Sequence, residues 1–172
     1  MGDSSTVPIR PEESGDEAAI ATVLRRAFER DDEARLVDAL RCGGEVELSL
    51  VAEANGQVVG HVLFSKLEIL TPSGTVNALA LAPLAVLPEC QRQGIGSLLV
   101  RRGLALCTER GHSIVTVLGD PAYYQRFAFS AESAKNLHSP YSGDHYMALE
   151  LRTGALAGLM GEVRYSAPFE CL

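Results

Sequence analysis

The hydrophobic positions of this chain follow two repeats, one of three and four residues and one of two, and the repeats change over at glycines and prolines. Ile20, Val23, Leu24, Ala27 and Phe28 form one face of an amphipathic helix that starts after Ser14 or Asp16 as N-cap. Leu36, Val37 and Leu40 mark a second helix closed by Gly43 and Gly44, and a charged joint, Glu29 to Glu33, separates the two. Before them, Val7 to Arg10 reads as a short edge strand, where Pro8 is tolerated. Glu47 to Ala52 alternates, and Asn55-Gly56 is the dipeptide a two-residue hairpin turn favours, because both positions need positive φ. Gln57 to Ile69 then returns as the antiparallel partner, and Thr71 to Gly74 turns the chain again.

The densest apolar stretch runs from Leu79 to Leu87, carries no charge and ends at Pro88, as a strand buried on both faces would. Pro83 lies inside it, which is acceptable only where the strand is not hydrogen-bonded to a neighbour. After Gly94 and Gly96, Ile95, Leu98, Leu99 and Leu106 predict a helix ending near Arg110-Gly111. The β-branched run Ser113 to Leu118 follows by a helical crossover, so it is parallel to the central strand. Asp120 and Pro121 open a short helix carrying Tyr123 and Tyr124. Beyond Phe129 come a polar loop with Lys135, His138, Tyr141 and His145, a strand from Tyr146 to Leu151 and a closing Val163 to Tyr165. No repeat or long linker divides the chain, so residues 1–172 read as a single mixed α/β domain, with 130–172 a C-terminal extension of it.

Two glycines on the first turn of a helix remove the Cβ atoms that would hold a ligand off the free N–H groups, and those donors with the helix dipole make an anion site. A dinucleotide fingerprint needs a third glycine where Leu99 stands, and no Gly-Lys-Ser/Thr triplet forms a Walker loop. Instead, Gln91-Arg92-Gln93-Gly94-Ile95-Gly96, preceded by Leu84-Ala85-Val86 and Pro88 and followed by Tyr124-x-x-x-Ala128-Phe129, resembles the acetyl-coenzyme A motif of the GNAT acyltransferase superfamily. The resemblance implies a GNAT-like fold: a central, mostly antiparallel sheet flanked by helices, with one splayed parallel pair of strands whose gap takes the pantetheine arm. Pro83 suits such a gap.

The resemblance also implies roles. Backbone N–H groups of Arg92 to Ser97, including Gln93, Gly94, Ile95 and Gly96, would hold the diphosphate of acetyl-CoA as acyl donor, with Gln91 in the same motif. Leu84, Ala85 and Val86 would bond the pantetheine through their main chain, and the Val86 amide would polarise the carbonyl. Tyr124 would protonate the leaving thiolate, with Ala128 in place of the family's glycine; Tyr123 reads as packing. The joint at Glu29 to Glu33 would border the acceptor groove. No Asp or Glu lies from Asn77 to Leu87, so a base would act through water from Glu53, Glu68, Asp120 or His61. Cys90 invites a covalent acyl-enzyme, but no histidine lies near it in sequence and the resemblance implies direct transfer. An acyl-CoA sensor without catalysis is the rival reading.

A net charge of −7 and a pI near 5.1 speak against nucleic acid or an anionic membrane as partner and favour a cationic acceptor, a small-molecule or protein amine. Arg92, Arg101 and Arg102 would supply local cations for the anionic donor. Cys42, Cys90, Cys107 and Cys171 lack metal-ligand spacing, so they read as reduced thiols and no metal is expected. There is no apolar leader or spanning run, and a superficial match of Met1-Gly2 and Thr6 to an N-myristoylation pattern is discounted; the expectation is a cytoplasmic protein, with a homodimer left open.

Overall fold

The computed structural model describes residues 6–171, so the leader and acylation readings of Met1 to Ser5 lie outside the described residues. In chain order the elements are β1 (Ile9–Pro11), α1 (Glu17–Phe28), α2 (Asp32–Cys42), β2 (Val46–Ala54), β3 (Gln57–Thr71), β4 (Gly74–Val86), α3 (Ile95–Glu109), β5 (Ile114–Leu118), α4 (Pro121–Tyr124), α5 (Ala131–Ala134), β6 (Leu137–His138), β7 (Tyr146–Glu150) and β8 (Gly161–Tyr165). One sheet runs in the order β1-β2-β3-β4-β5-β7, with β8 paired to the N-terminal strand neighbour's far half, along Leu67 to Leu70 of β3, and to β6. Every pairing along the main path is antiparallel except β4 with β5. This is the mixed, mostly antiparallel sheet with a parallel β4–β5 pair that the sequence led us to expect, and the two-residue β6 also runs parallel to β8.

Local signals account for most of it. Asn55 and Gly56 both take positive φ, 52° and 72°, and join Ala54 to Gln57 in register. Opposite the single Leu63 of β3, β4 places both Ala82 and Pro83, so the proline sits in a bulge where its missing N–H breaks no ladder. Asp120 caps α4 by accepting from the Ala122 N–H at 3.0 Å.

Two expectations changed. Asp16 does precede α1, but its carboxylate accepts from Arg10 at 2.7 and 3.1 Å and from the Glu13 N–H, so it closes the turn before the helix and makes no side-chain cap. The Arg10 guanidinium holds its pKa below the usual range. The polar loop after Phe129 contains α5, capped by Ser130 through the Ser133 N–H at 3.1 Å, and the edge strand β6. Elements of two to four residues leave too little periodicity to read.

Helix α3 covers β3 and β2 on one face, and α1 packs on β3 and β4. Gly60 of β3 faces α3 and the alternating neighbour His61 faces the other way, toward Arg41 of α2. The α3 contact is close: a Cβ at Gly103 would lie 2.3 Å from Cε2 of Phe64, whose ring is fully buried. Gly103→Ala is therefore expected to overpack that contact at a cost of about 1–3 kcal/mol, more than the roughly 1 kcal/mol of helix propensity it gains. A lower urea midpoint than the parent protein checks this.

Candidate active site

Strands β4 and β5 are paired only at Leu79, Ala80 and Leu81 with Val115, Thr116 and Val117. Past Leu81 they part, and the outer edge of Ala82 to Val86 has no strand partner among the described residues. At the end of that edge Gln91 Nε2 donates to the Val86 carbonyl at 3.0 Å and holds the following turn against the strand. In the turn, Arg92 and Gly94 take left-handed conformations, φ 60° and 84°. No main-chain N–H from Arg92 to Ser97 finds a protein acceptor among the described residues. Alternating handedness with free N–H groups at the start of a fifteen-residue helix is a concave anion nest.

Two cavities meet at Leu84. The first, about 550 Å³, lies over the turn and is lined by Val86, Gln91, Gly94, Ile95, Gly96 and Ser97, with Arg92 and Arg126 as its cations. Ala85 is buried and Gln93 is exposed, donating to the Glu89 carbonyl at 3.3 Å; neither side chain lines the cavity. Arg101 and Arg102 do not line it either, and Arg101 instead lies over the Phe127 ring at 5.1 Å. Cys90 borders the cavity, but no histidine lines it to act as a base toward its thiol. The second cavity, about 510 Å³, fills the fork between β4 and β5 and reaches from Leu84 and Pro83 to Phe28, Glu33, Tyr124 and Tyr165.

Tyr124 stands at the fork. Its ring lies against the α-carbon of Gly119, where an added Cβ would come within 2.5 Å of Cε2, and it meets the Phe129 ring edge-on at 5.9 Å. Burial, with Tyr123 adding, pushes its pKa above the ordinary tyrosine range, so the hydroxyl stays protonated at neutral pH. Ala128, at the position of the family's glycine, does take positive φ, 69°, so the turn carrying Tyr124 is formed at the cost of local strain. Tyr123, expected to pack only, also lines the first cavity: its hydroxyl would lie 2.6 Å from a Cβ at Gly96, and the Arg126 guanidinium stacks on its ring at 4.1 Å. Arg126 was legible only as the residue three past Tyr123.

None of the bases considered from sequence lines the fork. Glu53 pairs with Arg10 at 3.0 Å, Glu68 faces Arg164 at 4.0 Å and Asp120 is used as a cap. His61 is fully buried; its Nε2–H donates to Ser49 Oγ at 2.9 Å, the Ser49 hydroxyl donates to Glu12, and Nδ1 has no partner among the described residues. Burial, with the Arg41 charge adding, lowers its pKa to about 3. The carboxylate that does line the fork is Glu33, from the charged joint, 7% exposed and bonded by Arg30 Nε at 3.0 and 3.1 Å. His145 donates from Nδ1 to the Gly119 carbonyl at 3.1 Å and His138 borders another cavity.

A parallel strand pair that parts beside a helix-borne anion nest, with a tyrosine at the fork, defines an acyltransferase. The chain belongs to the GNAT acetyltransferase family: residues 8–131 match the family described as acetyltransferase (GNAT) domain. It is similar to the uncharacterized N-acetyltransferase YhbS of Escherichia coli (strain K12), 38% identical over 164 residues, which are 94% of this chain and 97% of that protein. The crystal structure of Escherichia coli YhbS in complex with CoA superposes with a TM-score of 0.89 at 35% identity, covering 99% of this chain and 96% of that one. A GNAT acetyltransferase from Brucella melitensis, solved in complex with acetyl-CoA, gives a TM-score of 0.80 at 34% identity, covering 95% and 98%. No helix among the described residues is long and apolar enough to cross a membrane.

Two measurements follow from the geometry. Ala128 is exposed, so Ala128→Gly relieves left-handed strain without uncovering a core, and it is expected to stabilise the protein by about 0.5–1 kcal/mol, seen as a melting temperature raised by roughly 2–3 °C. His61 is neutral in the fold down to about pH 3, whereas its unfolded value is near 6.5. As pH falls through that window the unfolded chain gains a proton the fold refuses, so stability is lost on acidification at about 1.4 kcal/mol per pH unit. Denaturation at several pH values across the window should show a slope shallower by about one proton in His61→Asn than in the parent protein.

Proposed function

We propose that the protein is an acetyl-CoA-dependent N-acetyltransferase that moves the acetyl group directly to a primary amine. The observation that carries this is the fork itself: an unpaired strand edge leads from the anion nest to the cavity that Tyr124 lines, and no histidine lines either cavity to activate Cys90 as a nucleophile. The CoA and acetyl-CoA held by the two similar crystal structures support the choice of donor.

In this reading the free N–H groups of Arg92 to Ser97, with the Arg92 and Arg126 side chains, hold the donor's diphosphate, and the open edge at Leu84, Ala85 and Val86 bonds its pantetheine. The Val86 amide meets the charge that develops on the thioester oxygen, a contribution typically worth about 3 kcal/mol. The amine nitrogen forms the new C–N bond, the C–S bond breaks, coenzyme A leaves as the thiol, and the ammonium's spare proton passes to solvent. Glu33, the carboxylate on the fork, takes that proton through water and hands it on to solvent. Tyr124 supplies the thiol's proton and is reprotonated by the second proton that the nitrogen sheds as the amide forms. The apolar cleft disfavours a thiolate and a phenolate alike, so both are raised together and the hydroxyl can yield its proton as the sulfur departs. We also take residues 1–172 as one catalytic domain, with 130–172 its extension.

Thiol release measured with an amine panel and acetyl-CoA tests the reading. Tyr124→Phe is expected to lower kcat by about 100-fold or more while acetyl-CoA binding, measured by calorimetry, stays within a few-fold. A binding-only module would release no thiol with any amine and would not distinguish the variant from the parent.

A further inference from the structure

The short helix α4 carries two tyrosines side by side, and the fold sends them to different cavities: Tyr123 lines the one over the anion nest and Tyr124 the one in the fork. Neighbouring residues on a helix point about 100° apart, and the two rings stand at 80° with centroids 5.0 Å apart. Asp120 and Pro121 fix where α4 begins, so the pair straddles Leu84, which both cavities share. Acetyl transfer uses Tyr124 and leaves the Tyr123 hydroxyl without a role.

Two contacts place that hydroxyl. A Cβ at Gly96 would lie 2.6 Å from it and 3.8 Å from both Tyr123 Cζ and Val86 Cγ2, so the tip of the ring rests on bare glycine backbone at the corner where the start of α3 meets the end of the open strand edge. The Arg126 guanidinium stacks on the ring at 4.1 Å while its Nε donates to the Tyr123 carbonyl at 3.0 Å, which holds ring and cation together. Arg10, Arg26 and Arg41 meet carboxylates at 2.7 or 2.8 Å, whereas Arg126 is held by main chain and rings and lines the cavity as a cation. For packing alone a phenylalanine at 123 would serve as well, since the stack and the Cζ contact need only the ring. The hydroxyl adds an O–H donor beside the free N–H groups of Arg92 to Ser97. Hydrogen bonds to a charged oxygen are the strong ones, so a donor at that place has a use the ring does not.

We propose that Tyr123 is a binding residue for the acyl donor: its hydroxyl donates to a diphosphate oxygen seated beside Gly96, and Arg126 holds the ring in place for that bond. The two adjacent tyrosines then divide the work, Tyr123 gripping the donor and Tyr124 supplying a proton to its sulfur. Glycine at 96 leaves the room the hydroxyl occupies. This rests on the reading of the first cavity as the seat of coenzyme A's diphosphate, and binding tests it apart from turnover.

The full chain, Tyr123→Phe, Gly96→Ala and the double variant are compared by calorimetric binding of coenzyme A and of pantetheine, which lacks the diphosphate, beside thiol release from acetyl-CoA. Tyr123→Phe keeps the ring and is expected to raise the Kd for coenzyme A and the KM for acetyl-CoA about tenfold, with kcat within about twofold and the Kd for pantetheine unmoved. Gly96→Ala displaces the hydroxyl and should weaken coenzyme A at least as much. With phenylalanine at 123 the new Cβ meets Cζ at 3.8 Å, an ordinary contact, so the double variant should bind within about twofold of Tyr123→Phe alone. An unchanged Kd for coenzyme A in Tyr123→Phe, an equal loss with pantetheine, or losses that simply add in the double variant overturn the proposal and leave acetyl transfer standing. Coenzyme A bound through Tyr123 with no thiol released for any amine upholds the proposal and overturns transfer. A parent protein that binds no coenzyme A overturns both.

Discussion

The structure turns on a ladder that stops. Backbone N–H and C=O groups must find partners, and β4 satisfies its inner edge along β3 from Thr75 to Val86 while its outer edge is matched by β5 for three residues only. The groups left over beyond Leu81 face a cavity, and the first free N–H groups of α3 follow directly after. A strand edge and a helix start, each with unmet donors, are thereby set end to end. The bulge at Ala82 and Pro83 makes the break local, because a proline could not have continued the ladder in any case.

Around that opening the packing is unusually close, which is what keeps an unpaired edge from collapsing. Gly60 and Gly103 let α3 press onto β3, and Gly119 lets the Tyr124 ring lie on the backbone. The bidentate pair of Arg26 with Glu89, at 2.8 and 3.0 Å, ties α1 to the segment just before the anion nest. Left-handed backbone at Arg92 and Ala128 is held in place by the same surroundings. Electrostatics is likewise local: an acidic chain gathers Arg92 and Arg126 at the nest, while the fork beyond Leu84 is aromatic and carries one neutralised pair. The two ends of the opening thus differ in kind, the first lined by main-chain donors and the second by rings.

The elements whose signals are local were legible from the residues. Three-and-four spacing marked α1, α2 and α3, Asn55-Gly56 marked the hairpin, and the glycines at 94 and 96 marked the nest, since φ preference, capping and periodicity act within a few residues. Leu84, Val86, Gln91, Arg92, Gly94, Ile95, Gly96 and Ser97 all border the first cavity because they are contiguous in a strand, turn and helix. The very short α5 and β6 carried no such period.

What spacing could not supply was distance between remote residues. Glu53, Glu68, Asp120 and His61 were candidate bases acting through water while only their types were known; in space each lies off the fork with partners of its own or fully buried, and the carboxylate that lines the fork is Glu33. The pairing of β8 with β3 delivers Tyr165 to a cleft whose opposite side comes from Phe28, and no pattern in either segment announces the other. The sequence by itself determined the elements and the glycine-bearing turn before α3, because those depend on neighbours along the chain. Only the tertiary structure decided which carboxylate and which rings share the fork, because side chains more than a hundred residues apart meet through sheet register and helix packing, and that energy belongs to the whole fold.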